Sequence, residues 1–198
     1  MVTPTFDIGD SSRVRSIRTA RTARTNDELM HYRLDVVAAS AADAVRSAGG
    51  WLYDRAMAGW EVTVLLPRSC DPRPLRILGV KVMDLAAGFE RTYSALQSQP
   101  SLAVSAEAYA ADRRIREAVL KALNHRLTEV ALWGDGWPLA VDRSMTRVQH
   151  VLSSAARTFK GYALEAAGIG CGTVDPVETM LYDMAACSRA DLELVRLG

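Results

Sequence analysis

The chain has 198 residues, 49% of them hydrophobic and 24% charged, and its formal net charge is +1. This composition is typical of a globular protein with one sizeable core, and it excludes a fibrous or fully disordered chain. The near-zero net charge also excludes attraction of the whole chain to a polyanion, so such a partner would require a local basic patch.

The three cysteines, Cys70, Cys171 and Cys187, are odd in number and far apart in the sequence. This spacing argues against a disulfide framework and against a zinc site, so we predict reduced thiols and no metal. The sequence also shows neither an apolar leader segment nor an apolar run long enough to cross a bilayer. We therefore expect a soluble, cytoplasmic protein without a membrane partner.

Residues 1–25 differ in composition from the rest of the chain and are predicted to form a flexible basic arm in front of a single domain over residues 26–198. The arm has few large apolar residues, so burial cannot offset the entropy cost of ordering it. Its arginines could neutralise the phosphates of a nucleic acid. The alternative is a solvated tail, or an arm folded against acidic groups of its own domain or of a partner subunit. The arginines are Arg13, Arg15, Arg18, Arg21 and Arg24.

A capping box at Thr25–Glu28 predicts that a helix begins there and continues, at helical spacing, to Ala48. A strand over Arg33–Ala39 is the alternative. A further helical piece is expected over Trp51–Ala58.

The stretch from Gly59 to Pro67 is aliphatic and β-branched at most positions. It predicts a strand buried on both faces, which is typical of a parallel sheet covered by helices. We interpret it as the first buried strand of the domain.

The remaining segments alternate between strand and helix patterns. Residues 75–83, 102–104 and 128–133 predict strands, and residues 86–97 and 107–124 predict helices. From Met145 to Ala166, apolar residues recur at helical spacing for six turns, which predicts a long helix. Pro176 then predicts the start of a last helix.

The alternation of strands and helices favours an α/β fold, with a single layer of mainly parallel strands covered by helices. An α+β fold, with antiparallel strands at Glu61 and Leu75, is the alternative. Val148, Leu152 and Phe159 of the predicted long helix are expected to cover the sheet. The predicted buried strand residues are Val62, Val64, Leu66, Val130 and Leu132.

The turn at Gly134-Asp135-Gly136 follows a predicted strand, at the edge where parallel sheets place their ligands. Asp135 is therefore a candidate site residue, although Asp-Gly is also common in plain turns. In a parallel sheet the loops at Arg68-Ser69, Asp84 and Ser105 should share this edge. Arg68 is a second candidate for ligand binding.

The predicted long helix carries a basic set. Arg147, His150 and Arg157 would share one face with Ser154 and could hold a phosphate or carboxylate. The alternative is the solvated outer face of an amphipathic helix.

No catalytic motif occurs in the chain. The glycines at Gly168–Gly172 follow a predicted helix rather than a strand, and they lack the spacing of a dinucleotide or phosphate loop. No cofactor can be assigned.

The first hypothesis is a binding or regulatory module that uses its arm to bind a partner protein, a second copy of the chain or nucleic acid. The alternative is a small enzyme acting on an anionic metabolite or nucleotide at the strand carboxyl ends. An enzyme should gather Asp135, Arg68 or Arg147 in one concave site, whereas a module should present a flat patch.

Overall fold

The computed structural model describes residues 32–89, 101–125, 129–170, 172–183 and 194–196. The arginines of the predicted arm and the capping box at Thr25 lie outside these ranges. None of the helices within them combines the length and the apolar composition needed to cross a bilayer.

Within these ranges, eight strands form one sheet in the order β3-β2-β1-β4-β5-β7-β6-β8. Strands β1 to β5 pair parallel, and the last three pair antiparallel. This confirms the predicted mainly parallel sheet. The antiparallel alternative for the strands at Glu61 and Leu75 is wrong, because Thr63 faces Lys81 in a parallel register. The strands are β1 Arg33–Val37, β2 Glu61–Leu66, β3 Lys81–Asp84, β4 Ser101–Ser105, β5 Val130–Trp133, β6 Thr146–Val151, β7 Val177–Tyr182 and β8 Leu194–Arg196.

Helices cover both faces of the sheet. One face carries α1, α2 and α6, and the other carries α3, α4 and the helical residues 85–89. The predicted helix over 107–124 is divided at Asp112, whose backbone is extended. The helices are α1 Ala41–Met57, α2 Arg73–Ile77, α3 Ala106–Ala111, α4 Arg113–His125, α5 Leu139–Asp142 and α6 Ser154–Ala166.

The predicted core strands are confirmed. In β2 and β5 every residue named as buried has at most 3% of its surface exposed. Strands with apolar residues on both faces are stable only when helices cover both sides, and these helices do so. The core strand residues are Val62, Val64, Leu66, Val130 and Leu132.

The predicted helix through Tyr32–Ala39 is wrong, because residues Arg33–Val37 form β1, the middle one of the five parallel strands. Its backbone pairs with β2 on one side and β4 on the other, and this non-local pairing outweighs a local helical pattern. The alternative prediction of a strand in this region is confirmed. The strand at Glu61–Leu66 is therefore the second buried strand in chain order rather than the first. The helix begins only after Ser40, whose hydroxyl accepts a hydrogen bond from the Asp43 N–H at 3.0 Å.

The predicted strand at 75–83 is half wrong. Prolines at the first turn favour a short helix, α2, and the strand β3 begins only at Lys81. Gly79, with φ of +75°, lies in the left-handed region between the two elements, which only glycine enters without strain.

The predicted long helix is strand β6 followed by helix α6. Along β6 the buried residues alternate, with Val148 and His150 facing inward, and Ser153 caps α6. Leu152 is buried between the two elements, but Phe159 on α6 is 38% exposed and is not a core residue. The predicted helix after Pro176 is strand β7, because it pairs with both β5 and β6.

A candidate ligand-binding cleft at the carboxyl edge of the sheet

The chain order of the sheet reverses between β1 and β4. From β1 the chain proceeds outward to β2 and β3, whereas from β4 it proceeds the other way to β5. In such sheets the loops leaving the two central strands separate and open a crevice, where ligands bind. Here Ser105, at the end of β4, lies against the loop after β1, because its hydroxyl accepts a hydrogen bond from the Ala39 N–H at 3.3 Å.

Asp43, in the first turn of α1, borders this crevice. One carboxylate oxygen accepts a hydrogen bond from the Trp133 indole N–H at 3.3 Å. The other oxygen, Oδ2, is buried and has no hydrogen-bond partner among the described residues. A buried acceptor without a donor is costly, so Oδ2 is a destabilising feature of this crevice.

Trp133, which donates to Asp43, also lines a cleft of about 360 Å³. It opens where β5 ends, because the pairing of Leu132 with Leu181 carries residues 177–179 of β7 past the end of β5. A cavity of this volume accepts a small molecule. Its polar lining residues are Arg46, Ser47, Asp135, Arg147, Lys160, Asp175, Glu178 and Thr179.

Asp135 is held at the rim by a glycine turn. Gly134 and Gly136 have φ of +88° and +86°, and a Cβ on Gly134 would lie 3.0 Å from the Ala106 Cβ. Glycine is therefore required at position 134 both by its backbone and by the close approach of α3. The tight turn places the exposed Asp135 side chain at the mouth of the cleft.

Two arginines line the same cleft. Arg46 on α1 and Arg147 on β6 are both exposed, and neither forms an ion pair with a described residue. Guanidinium groups bind carboxylates and phosphates through two parallel hydrogen bonds. The cleft thus combines two unpaired cations with the carboxylate of Asp135.

The floor of the cleft is a buried ion pair. Lys160 of α6 and Glu178 of β7 lie 2.6 Å apart, and they are 5% and 3% exposed. The Lys160 ammonium also donates to the Arg46 carbonyl at 2.8 Å, and Glu178 accepts from the N–H groups of Gly50 and Trp51 at 2.8 Å each. The pair therefore joins α6, β7 and the middle of α1.

Burial raises the pKa of Glu178 above its ordinary value of 4.5, while the Lys160 ammonium and the two backbone N–H groups oppose that rise. Both carboxylate oxygens accept hydrogen bonds from N–H donors. This arrangement suits the ionised form, which only accepts.

The structure brings together two of the candidate residues, Asp135 and Arg147. Arg68 lies at the same edge, but it follows β2. Strands β1 and β4 lie between β2 and β5, so β2 and β5 are about 14 Å apart across the sheet. It pairs there with Asp84 at 3.5 Å. The predicted common edge for the loops is therefore right, whereas the convergence of Arg68 with Asp135 is not found.

His150 and Arg157 do not lie beside Arg147. The single helix predicted to align these three residues is instead strand β6 followed by helix α6. His150 is buried, with Nε2 2.9 Å from Asp54 Oδ2, and Arg157 is exposed on α6 with a hydrogen bond to Ser154. On a strand, Arg147 and His150 point to opposite faces.

Sequence reasoning missed Arg46, Lys160 and Glu178. A signal was present, since Lys160 is one of only three lysines beside 21 arginines, and Glu178 interrupts a mostly apolar strand. Within the described ranges, no group of three or more His, Cys, Asp or Glu side chains is arranged to hold a metal ion.

No family model and no curated protein matches the chain. Solved structures of similar fold exist. The A40926 pseudoaglycone deacetylase is 17% identical, with a TM-score of 0.51 over 80% of this chain and 100% of its own. A teicoplanin-bound deacetylase of the teicoplanin biosynthesis pathway is 16% identical, with a TM-score of 0.50 over 84% and 99%. At these identities the likeness is one of fold, and it extends over nearly the whole of each deacetylase chain.

Proposed function

We propose that the chain is a small enzyme that acts on an anionic small molecule in the carboxyl-edge cleft. The observation that carries the proposal is the presence of Asp135 and Arg147 in one concave cleft, which was the feature expected of an enzyme rather than of a flat interaction module. The two similar structures described above are deacetylases, which favours this hypothesis over a binding module with no catalytic role.

The side chains suggest a division of roles. Arg46 and Arg147 are assigned to the anionic group of the ligand, because each offers planar, charged donors that form no ion pair with a described residue. Asp135, exposed at the rim, is assigned to proton transfer or to a ligand hydroxyl.

Binding is the first test. A thermal-shift panel of sugar phosphates, nucleotides and small carboxylates should find ligands that raise the melting temperature, since a molecule that binds only the native state stabilises it. The variant Arg147→Gln should lose the shift. Arg143→Gln removes another exposed arginine, one outside the cleft, and should keep the shift. A panel in which no compound shifts the wild-type protein contradicts the proposal.

Turnover is the second test. Hydrolysis of N-acetyl groups is the first reaction to assay, because the two similar structures are deacetylases. Asp135→Asn should abolish turnover of any substrate found while leaving its binding within a few-fold. Equal turnover by the variant and the wild type would show that Asp135 has only a structural role in the turn.

A further inference from the structure

Lys160 has one hydrogen-bond donor more than its protein partners use. Its ammonium carries three N–H groups, and two of them are bonded, to Glu178 Oε1 at 2.6 Å and to the Arg46 carbonyl at 2.8 Å. The side chain is 6% exposed and lines the cleft. The third N–H therefore has no acceptor among the described residues, although it is largely removed from bulk water.

The pair is not needed to satisfy the backbone of α1. In a regular α-helix the Gly50 N–H bonds to the Arg46 carbonyl, and the Trp51 N–H bonds to the Ser47 carbonyl. Here the Arg46 carbonyl and both N–H groups are bonded to Lys160 or Glu178. The helix could supply these hydrogen-bond partners itself. The need to satisfy the backbone of α1 therefore does not explain why two charges are buried here.

Burying an ion pair costs more desolvation energy than a well-packed apolar pair would. A charged floor is explained more directly by what lies above it. Arg46, on α1, is exposed and lines the same cleft as Lys160, so the floor and one wall of the cleft both offer cationic donors to an anionic ligand. Charge-assisted hydrogen bonds of this kind are stronger than neutral ones.

We infer that Lys160 is the floor anchor for the anionic group of the ligand, a carboxylate or a phosphate, with Glu178 holding its ammonium in place. The inference rests on the proposed function and goes further, because it names the residue that distinguishes an anionic ligand from a neutral one. Glu178 is a positioning residue that acts through Lys160.

The test uses glucose 6-phosphate, glucuronate and glucose, which share a hexose frame and differ in the group at one carbon. Calorimetry would compare the wild type with Lys160→Met/Glu178→Met, in which the helix is free to form its own hydrogen bonds. Lys81→Met removes a lysine that is 68% exposed and outside the cleft, and it serves as the control.

We expect the double variant to bind the anionic probes about ten-fold or more weakly, with glucose unchanged and with the control like the wild type. The preferred anion, carboxylate or phosphate, is read from the two anionic arms. If Arg147→Gln weakens binding but the double variant does not, Lys160 is not the anchor although the proposed function stands. If the wild type binds none of the three probes, both proposals fail for this class of ligand.

A second measurement needs no substitution. Because the chain has only three lysines, the ammonium signals of 15N-lysine-labelled protein are few enough to assign. The Lys160 signal should shift with glucose 6-phosphate or glucuronate and stay in place with glucose. Saturable anion binding without a shift of this signal would overturn the inference even if the double variant failed to fold.

Discussion

The parallel half of the sheet, β1 to β5, and the antiparallel ribbon, β6 to β8, are stabilised in different ways. Every residue of β4 and of β5 is buried, between apolar clusters on both faces. Along β6, inward Val148 and His150 alternate with more exposed neighbours. The parallel half is therefore an ordinary hydrophobic core, whereas the ribbon has one wetter face and depends on polar contacts as well.

The polar contacts of the ribbon are made with α1. Glu178 of β7 reaches Gly50 and Trp51, and His150 of β6, directly opposite Glu178, reaches Asp54 at 2.9 Å. The cleft lies where the two halves meet, with walls from both. Charged groups thus concentrate at the change of strand direction, where the apolar cover is interrupted. The predictions that follow test this contrast.

The largest effect is expected for Lys160→Met. The variant leaves Glu178 charged, buried and without its cation, which should lower the free energy of unfolding by about 3–5 kcal/mol. Lys160→Met/Glu178→Met should recover most of that loss, because no buried charge remains. Denaturant titration of the three proteins measures both quantities. A single variant as stable as the wild type would show that the ribbon does not depend on this pair.

Leu152→Ala tests the apolar part of the same junction. Leu152 is 4% exposed and lies so close to α1 that a Cβ on Gly50 would be 2.4 Å from its Cδ2. We expect a loss of about 2–5 kcal/mol in the free energy of unfolding. Leu139→Ala, at a site that is 70% exposed, should change it by about 0.5 kcal/mol or less. Equal effects would place Leu152 outside the core.

The pH dependence of stability should show the free-energy cost of burying the charged Glu178 carboxylate. Burial raises the pKa of Glu178 in the folded state above its ordinary 4.5. The stability it contributes is therefore present below pH 4.5 and is lost as the pH rises through the folded pKa. The free energy of unfolding of the wild type, minus that of Lys160→Met/Glu178→Met, should fall as the pH is raised above about 4.5. A difference that rises instead would mean that Lys160 outweighs burial.

The smallest effect on stability is expected for deletion of residues 1–25, which lie outside the described residues. If the predicted arm binds nucleic acid, affinity should fall with salt at a log–log slope of about −0.9 per phosphate neutralised on duplex DNA. The deletion should flatten this slope and leave the melting temperature nearly unchanged. Absence of binding to DNA or RNA at low salt would remove the polyanion hypothesis, and a large loss of stability would show that the arm is packed into the fold.

The success of the sequence predictions follows the same division. In the parallel half, Val62, Val64 and Leu132 lie in apolar runs that leave little choice but a doubly covered strand. In the ribbon, Met145, Val148 and Leu152 satisfy helical spacing, while burial of Val148 and His150 alternates as in a strand. The pattern is ambiguous when a buried polar residue such as His150 is counted as a surface residue.

The sequence also predicted only part of the candidate site. Asp135 could be found because it follows a strand in a turn that its glycines mark, and the carboxyl edge of a parallel sheet is a general site. Lys160 and Glu178 stand out in composition, but their pairing could not be predicted, because their partners are distant in the chain. Gly50 is 128 positions from Glu178, and the Arg46 carbonyl is 114 from Lys160.

By itself, the sequence determined which apolar stretches must be buried, that the sheet is mainly parallel, and that Asp135 lies at its carboxyl edge, since these follow from local hydrophobicity and turn chemistry. Only the tertiary structure decided that residues 33–37, 146–151 and 177–182 are strands and that Lys160 meets Glu178 in the cleft that Asp135 borders. Strand pairing and buried ion pairs depend on groups far apart in the chain, and their free energy is set by the partner and by the exclusion of water, neither of which local spacing records.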